Sequence, residues 1–404
     1  MTSRLEDLIA ELCPNGVEYK KIGDIATLSR GKVMSKSFIN DNSGEYPVYS
    51  SQTENNGQFG AISTYMFDGK YVTWTTDGAN AGTVFYRDGK FSVTNVCGVI
   101  DISDCQVDTK YVYYALTIHA KNYVSSGMGN AKLMSNVMSK VTIPVPPLDV
   151  QEEIVRILDT FTELTAELTA ELTARKKQYE YYRDTLLTFD DNNPLHSLIQ
   201  RYFPNGVEYK KIGDIATDVF RGYGIKKDQV TSTGIPCVRY GEIYTKYNLW
   251  FDSCFSHTNE SLITNKKYFE HGDILFAITG ESVEDIAKSC AYVGNEKCLA
   301  GGDIVVVKHN QNPKYLSYAL STTDARLQKS SGKVKSKVVH ASTESIKGIT
   351  IPVPPLEVQR QIVQILDRFD ALCNDLTKGL PAEIEARRKQ YEYYRDQLLT
   401  FKRA

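Results

Sequence analysis

TIPVPPLDVQEEIVRILDTFTELTAELTAELTARKKQYEYYRDTLLTF, residues 142 to 189, decides how this chain folds. A second version closes the chain, as TIPVPPLEVQRQIVQILDRF at residues 350 to 369 and ARRKQYEYYRDQLLTF at residues 386 to 401. Pro144, Pro146 and Pro147 donate no backbone hydrogen bond and force extended backbone, so they stop whatever precedes them. Asp149 suits a helix start at the positive end of the helix dipole. Apolar residues at Ile154, Ile157, Phe161, Leu164 and Leu168 alternate three and four apart, a heptad seam that buries one stripe against a partner helix. The second copy repeats the seam at Ile362, Ile365, Phe369, Leu372 and Leu376. Both copies return to it as Tyr179, Tyr182, Leu186, Phe189 and as Tyr391, Tyr394, Leu398, Phe401.

Inside the first copy stands a tandem tetrad, Thr165, Ala166, Glu167, Leu168, Thr169, Ala170, Glu171, Leu172. Its residues are mostly strong helix formers, so it extends the rod. Each four residues add about 6 Å and roughly 40° of rotation. Pro147 to Arg175 spans 28 positions and Pro355 to Arg387 spans 32, so the copies differ by one tetrad. Gly379 and Pro381 predict a kink or break in the second copy. Structurally this is a pair of antiparallel helices; functionally it is a ruler between whatever sits at its ends.

The scaffold repeats elsewhere. PNGVEYKKIGDIAT occurs at 14–27 and again at 204–217. Each copy precedes a block of short Val-, Tyr- and Phe-rich runs broken by Gly, Asn and Asp, as in YMFDGKYVTWTTDG and GDILFAITG, which read as strands and hairpins. YVYYAL at 111–116 and YLSYAL at 315–320 predict matching helices with core residues Tyr111, Tyr315, Leu116 and Leu320. The order is repeat, block, long helix, twice over, which as a ring has pseudo-two-fold symmetry. The predicted fold class is α+β: two similar globular α/β domains separated by two long antiparallel, coiled-coil-like helices in a circular arrangement. The predicted boundaries are 1–148, 149–189, 190–356 and 357–404.

At 404 residues the chain exceeds one core. Its net charge of −2 points to no nucleic acid or membrane by itself. The blocks are mildly basic, with 10 Lys and Arg against 9 Asp and Glu at 28–141 and 17 against 14 at 218–349; the remainder is acidic. No signal peptide or long apolar run appears, which predicts a soluble, cytoplasmic protein. The eight cysteines lack metal-ligand spacing and read as reduced thiols. Walker A, GxGxxG, HExxH and Asn-Pro-Pro-aromatic motifs are all missing, and no convincing nuclease cluster occurs, which argues against catalysis.

The scaffold resembles the specificity subunit (HsdS) of type I restriction–modification systems, in particular the type IC group. The carriers are TIPVPPLxVQxxIVxILDxF twice, the two QYEYYRD segments, PNGVEYKKIGDIAT twice and the TAEL tandem. They cover about a third of the chain. The resemblance implies that the blocks are target recognition domains, each reading half of a split, asymmetric DNA site. It implies no catalysis and no cofactor in this chain. Double-stranded DNA, two modification (HsdM) subunits carrying S-adenosylmethionine and up to two restriction (HsdR) subunits using ATP with magnesium are the implied partners. Adenine methylation or restriction is then the partners' work. Half-sites about 10 base pairs apart leave roughly 6–7 unread pairs between them. A structural coiled-coil adaptor is the alternative, and an enzyme with a divergent site a third reading.

The family's variable blocks transfer no base contact by motif, so contact candidates come from residue chemistry. In the first block they are Arg30, Lys32, Lys36, Asn80, Arg87 and Lys132. In the second they are Arg221, Lys226, Lys227, Arg239, Lys333, Lys335 and Lys337. For each, a solvated surface charge is the competing reading. Tyr179, Tyr181, Tyr182 and their counterparts Tyr391, Tyr393, Tyr394 read as helix packing or partner docking, with Tyr179, Tyr182, Tyr391 and Tyr394 the docking candidates, and metal ligands are not expected.

Overall fold

The Pro-rich stops are strands before they are helix starts. In a computed structural model, Thr142–Val145 (β8) pairs antiparallel with Glu18–Lys21 (β1), and Thr350–Pro352 (β22) pairs antiparallel with Tyr209–Lys211 (β9). The quoted motifs therefore meet in space: the end of each block is stitched to the repeat that opens it. The structure describes residues 3–125, 130–189, 200, 204, 206–333, 338–374 and 379–404. Two compact units form, Met1–Thr169 with Glu383–Ala404, and Ala170–Ala382. The division differs from the linear boundaries read from sequence. The long helices do not form domains of their own, because their apolar stripes are buried within the units.

In the first unit, Ser3–Leu12 (α1) leads into β1. The strands Ala26–Arg30 (β2), Ser43–Tyr49 (β3), Gln58–Ile62 (β4), Phe67–Thr75 (β5), Val84–Val93 (β6) and Cys97–Ile102 (β7) form one sheet in the order β2-β7-β5-β6-β3-β4. Thr109–His119 (α2) covers it, started by Asp108, whose carboxylate accepts from Tyr111 N. Trp74, Val72, Ile100, Tyr111 and Leu116 share a core with Val150, Ile154 and Leu158 of Leu148–Thr188 (α3). Leu398 and Leu399 complete that core, so both ends of the chain meet in this unit. Val17 N donates to Lys402 O at 2.9 Å and Ala404 N to Val17 O at 3.1 Å.

The second unit is built from the last part of α3, the block, and Leu356–Asn374 (α6). One sheet runs Ala216–Arg221 (β10), Ile304–His309 (β20), Ile274–Ala277 (β16), Ser289–Tyr292 (β18) and Trp250–Phe251 (β13) in that order. A second five-stranded sheet includes Ile235–Val238 (β12) and Cys298–Ala300 (β19), paired in parallel. Pro313–Ala319 (α4) takes the place that α2 has in the first unit, and Thr323–Ser330 (α5) follows it.

The duplication extends to single hydrogen bonds. Tyr111 Oη donates to Pro144 O and Tyr315 Oη to Pro352 O, both at 3.0 Å. Gln151 accepts from Asp108 N and donates to Pro146 O at 2.7 Å; Gln359 accepts from Asn312 N and donates to Pro354 O at 2.7 Å. Asp159 takes Tyr114 Oη and Lys110 Nζ, and Asp367 takes Tyr318 Oη and Lys314 Nζ. Each Gln pairs the amide at the cap of the block's helix and the proline carbonyl just before its own helix, and each Asp clamps the helix to its block.

The expected seam needs correction. The stripe buried most deeply is Val150, Ile154 and Leu158 in the first copy and Ile362 and Leu366 in the second, and these residues face the blocks. The helix partner is met one strip over. Phe161 stacks on Tyr394 of Leu380–Leu398 (α7) at 5.4 Å, and Tyr182 stacks on Phe369 at 5.6 Å. Leu164 and Leu372 remain 40% and 41% exposed, and Leu376 lies outside the described residues. The second copy is divided as Gly379 and Pro381 predict, with α6 ending at Asn374 and α7 starting at Leu380. No helix among the described residues is long and apolar enough to cross a membrane.

Candidate nucleic-acid interface

Both units carry an Arg-Gly step where the first strand of the block ends. Arg30 closes β2 and Arg221 closes β10. The next residue must be glycine in each case. A Cβ on Gly31 would lie 1.8 Å from Val93 O, and one on Gly222 would lie 2.1 Å from Gly301 O. The arginine is thereby set at a corner where the strand passes against the segment entering the neighbouring strand. Arg30 Nη2 donates to Thr76 Oγ1 at 3.2 Å and to Asn95 O, and lies 3.7 Å from the Asp77 carboxylate. Arg221 pairs with Asp303 and keeps 59% of its side chain exposed. Asp303 sits in left-handed backbone at φ +61°.

Around Arg30 the first unit gathers four of its candidates on one rim. The backbone of Lys32 pairs with that of Thr94, and the backbone of Lys132 with that of Asp77. Asn80 Nδ2 donates to Thr53 Oγ1 at 3.3 Å, while Thr75 Oγ1 donates to the Asn80 carbonyl. Lys32, Asn80 and Lys132 are exposed. Lys36 is also exposed but opens a separate six-residue helix capped by Ser35.

Arg87 does not belong in the set. It is 3% exposed, with its guanidinium 3.5 Å from the Tyr49 ring centroid and 4.6 Å from that of Phe85. Nε donates to Thr73 Oγ1 at 3.1 Å and Nη2 to Asn56 O at 2.9 Å, while Nη1 is buried without a partner. Burial pulls its pKa below the usual arginine value. A guanidinium so enclosed cannot reach a duplex; it holds the loop before β4.

In the second unit Arg239 and Asp303 line an open cleft of about 520 Å³ with Tyr240, Glu242, Lys246 and Phe255. Glu242, 4% exposed, accepts from Arg239 N at 3.0 Å and from its Nε and Nη2 at 3.4 Å, which fixes the arginine's direction. Phe255 is 63% exposed and lies 4.3 Å beneath the Lys246 ammonium. Cations beside exposed rings suit phosphates and base faces together. Lys226 and Lys227 are exposed beside Ile225, which lines the same cleft. Lys333 follows α5, its amide on Ser330 O at 3.1 Å. Lys335 and Lys337 lie outside the described residues. Among the described residues no group of three His, Cys, Asp or Glu is placed to hold a metal ion.

The four tyrosines proposed for docking are used internally. Tyr182 and Tyr394 stack within the helix pairs. Tyr179 is 6% exposed. Tyr391 packs against the first unit's core, where burial pushes its pKa up to about 12. Tyr181 and Tyr393 of the same group are 66% and 61% exposed. Asn55, Asn56 and Asn95 in the first unit and Tyr240 and Phe255 in the cleft went unnoticed in the sequence. The signal available was the Arg-Gly step recurring shortly after each IGDIAT.

Each of these two halves of the scaffold matches the same family, the type I restriction modification DNA specificity domain, at residues 14–175 and again at 204–386. The chain belongs to that family. A Mycoplasma pneumoniae protein named as a type I specificity subunit is 32% identical over 385 residues, covering 94% of this chain and 96% of the relative. A second from the same organism is 33% identical, covering 85% and 97%. The crystal structure of a type I restriction–modification S subunit from M. genitalium shares the fold, with TM-score 0.55 at 15% identity over 96% of this chain and 97% of that one. As a specificity subunit the chain supplies DNA recognition within a type I restriction–modification assembly and is not its catalytic component.

Proposed function

We propose that the two blocks read the two halves of a split, asymmetric DNA sequence, with about 6–7 unread base pairs between them. The observation that carries this is the pair of Arg-Gly corners. The same backbone step presents an arginine at the same place in both units, while the residues around it differ: Asn95, Asp77 and Lys132 in one, Arg239, Tyr240 and Asp303 in the other. A common frame with unlike surroundings suits a reader of two unlike half-sites. Positive side chains anchor phosphates and set register, and polar side chains beside them discriminate base edges.

Two modification subunits bring S-adenosylmethionine and methylate adenine, and up to two restriction subunits bring ATP and magnesium. Tyr181 and Tyr393 offer matching exposed rings for two like partners, a role the buried Tyr179 and stacked Tyr182 and Tyr394 cannot fill. The type IC assignment rests on the TAEL tandem, and a cytoplasmic place on the nature of the substrate. The test is co-expression with the modification subunit followed by genome-wide mapping of methylated adenines. A split motif is expected; a continuous motif, or methylation without sequence preference, overturns the reading.

A further inference from the structure

The hairpin loop from β3 to β4 adopts a conformation that side chains resist. Asn55 (φ +48°) and Asn56 (φ +52°) are both left-handed and are followed by Gly57 at φ +79°. Two such residues in succession cost free energy, which the surroundings must supply. They do so from beneath. Buried Arg87, sandwiched on Tyr49 and Phe85, donates to Asn56 O. Ser50 N donates to Gly57 O at 3.1 Å, Thr94 Oγ1 to Ser50 Oγ at 3.0 Å, and Asn80 holds Thr53. Asn55 and Asn56 themselves are exposed. The anchors tie this loop to Thr94, whose backbone pairs with that of Lys32, and through Asn80 to the turn after β5 that meets Arg30 and Lys132.

Asn56-Gly57, with positive φ at both residues, is the pair that suffices for a tight hairpin; the left-handed Asn55 before it is more than chain reversal needs. Here a buried cation is spent on displaying two amides beside the basic rim. A carboxamide donates and accepts at once, matching N7 and the N6 amino group of adenine in the major groove. We infer that Asn55 and Asn56 are specificity-determining residues of the first unit that read an A·T pair in its half-site, with Arg87 as their positioning residue. The inference rests on the split-site reading above.

The experiment uses the full complex with its modification subunits and compares wild type with N55G and N56G. Glycine accepts the left-handed backbone and removes the carboxamide without adding a charge. Methylation of the wild-type site should fall about 10- to 100-fold for at least one variant. The mapped motif should loosen at an A·T position of one half, with the other half and the salt dependence unchanged. N55D and N56D, which keep the side-chain shape but add a negative charge, serve for the motif comparison alone if a glycine variant loses its fold. A normal wild-type map with unaltered variant maps overturns this inference alone. So does a uniform loss across sequences with a shallower salt slope, the mark of a phosphate contact. A wild-type complex that marks no split sequence overturns the parent reading and this one with it.

Discussion

Arg87 and Lys132 carry the same charge to different ends. Arg87 is enclosed and its donors serve Thr73 and the loop carbonyl of Asn56; Lys132 is exposed at the rim. Arg87→Met should therefore cost about 2–4 kcal/mol of stability, since it removes charge-assisted bonds to Thr73 and Asn56 and leaves the buried Thr73 hydroxyl without its donor. It should leave the salt slope of DNA binding where it was. Lys132→Ala should do the reverse, leaving the melting temperature nearly unchanged and making the slope shallower by about 0.9. Melting curves and salt titrations of the complex separate the two, and a slope change for Arg87→Met would show that it touches phosphate after all. A second buried base controls acid stability. Gln311 N donates to His309 Nδ1 at 3.1 Å, so Nε2 carries the proton, buried without a partner. Burial lowers the His309 pKa to about 4. Unfolded, the ring takes up a proton near 6.5, so unfolding is increasingly favoured as pH falls from about 6.5 to 4. His309→Phe should flatten the fall in melting temperature over that window, and an identical fall in both proteins would exclude His309 as its cause.

The two glutamines at the helix starts make a test that the duplication performs on itself. Each serves a block amide and a proline carbonyl with one side chain. Gln151→Ala and Gln359→Ala should each cost about 2–4 kcal/mol, at about 1 kcal/mol per bond plus the buried groups left unpaired. The loss should appear as faster amide exchange in the first turns of α3 and α6 respectively, with the other helix protected as before. Exchange that rises in both helices for either variant would show that the staples are not local. At this scale the sequence was most informative about rods and least about their contacts. Helix length and the break near Gly379 were legible, because periodicity and proline act through neighbours in the chain. The deeper stripe was misjudged, because a helix with two neighbours needs two stripes, and a three-four alternation of apolar residues does not say which faces which. Residues of the rims stayed hidden for a related reason. The burial of Arg87 is set by Tyr49, on another strand, and by Phe85, two residues before it, and no local pattern distinguishes an arginine on a strand's inner side from one on its outer side.

At the scale of the whole molecule, one continuous helix of 41 residues begins in the first unit and ends in the second. Its central tetrads are the part least committed to either. Ala166, Glu167, Ala170 and Glu171 are exposed, and Thr165, Leu168 and Leu172 are only half-buried. A tetrad inserted there disturbs few buried contacts, and Thr165 and Thr169 already show how the added threonine would be accommodated, each hydroxyl donating to the carbonyl four residues back at 2.8 Å. The added turn should therefore stay helical, lengthening the rod by about 6 Å and rotating one end by roughly 40°. DNA rotates about 34–36° per base pair, so the angular change corresponds to about one pair, although the axial change exceeds one base-pair rise. Where length and phase disagree, phase should decide, since a half-site on the wrong face of the duplex cannot be read at all, while a misfit of a few ångströms is absorbed by bending. We expect the variant with one more TAEL to methylate the same two half-sites with about one additional unread pair between them. Adenine mapping on that variant decides the matter: a changed half-site with an unchanged spacer would show that the tetrads act on the reading surfaces and not on the distance between them.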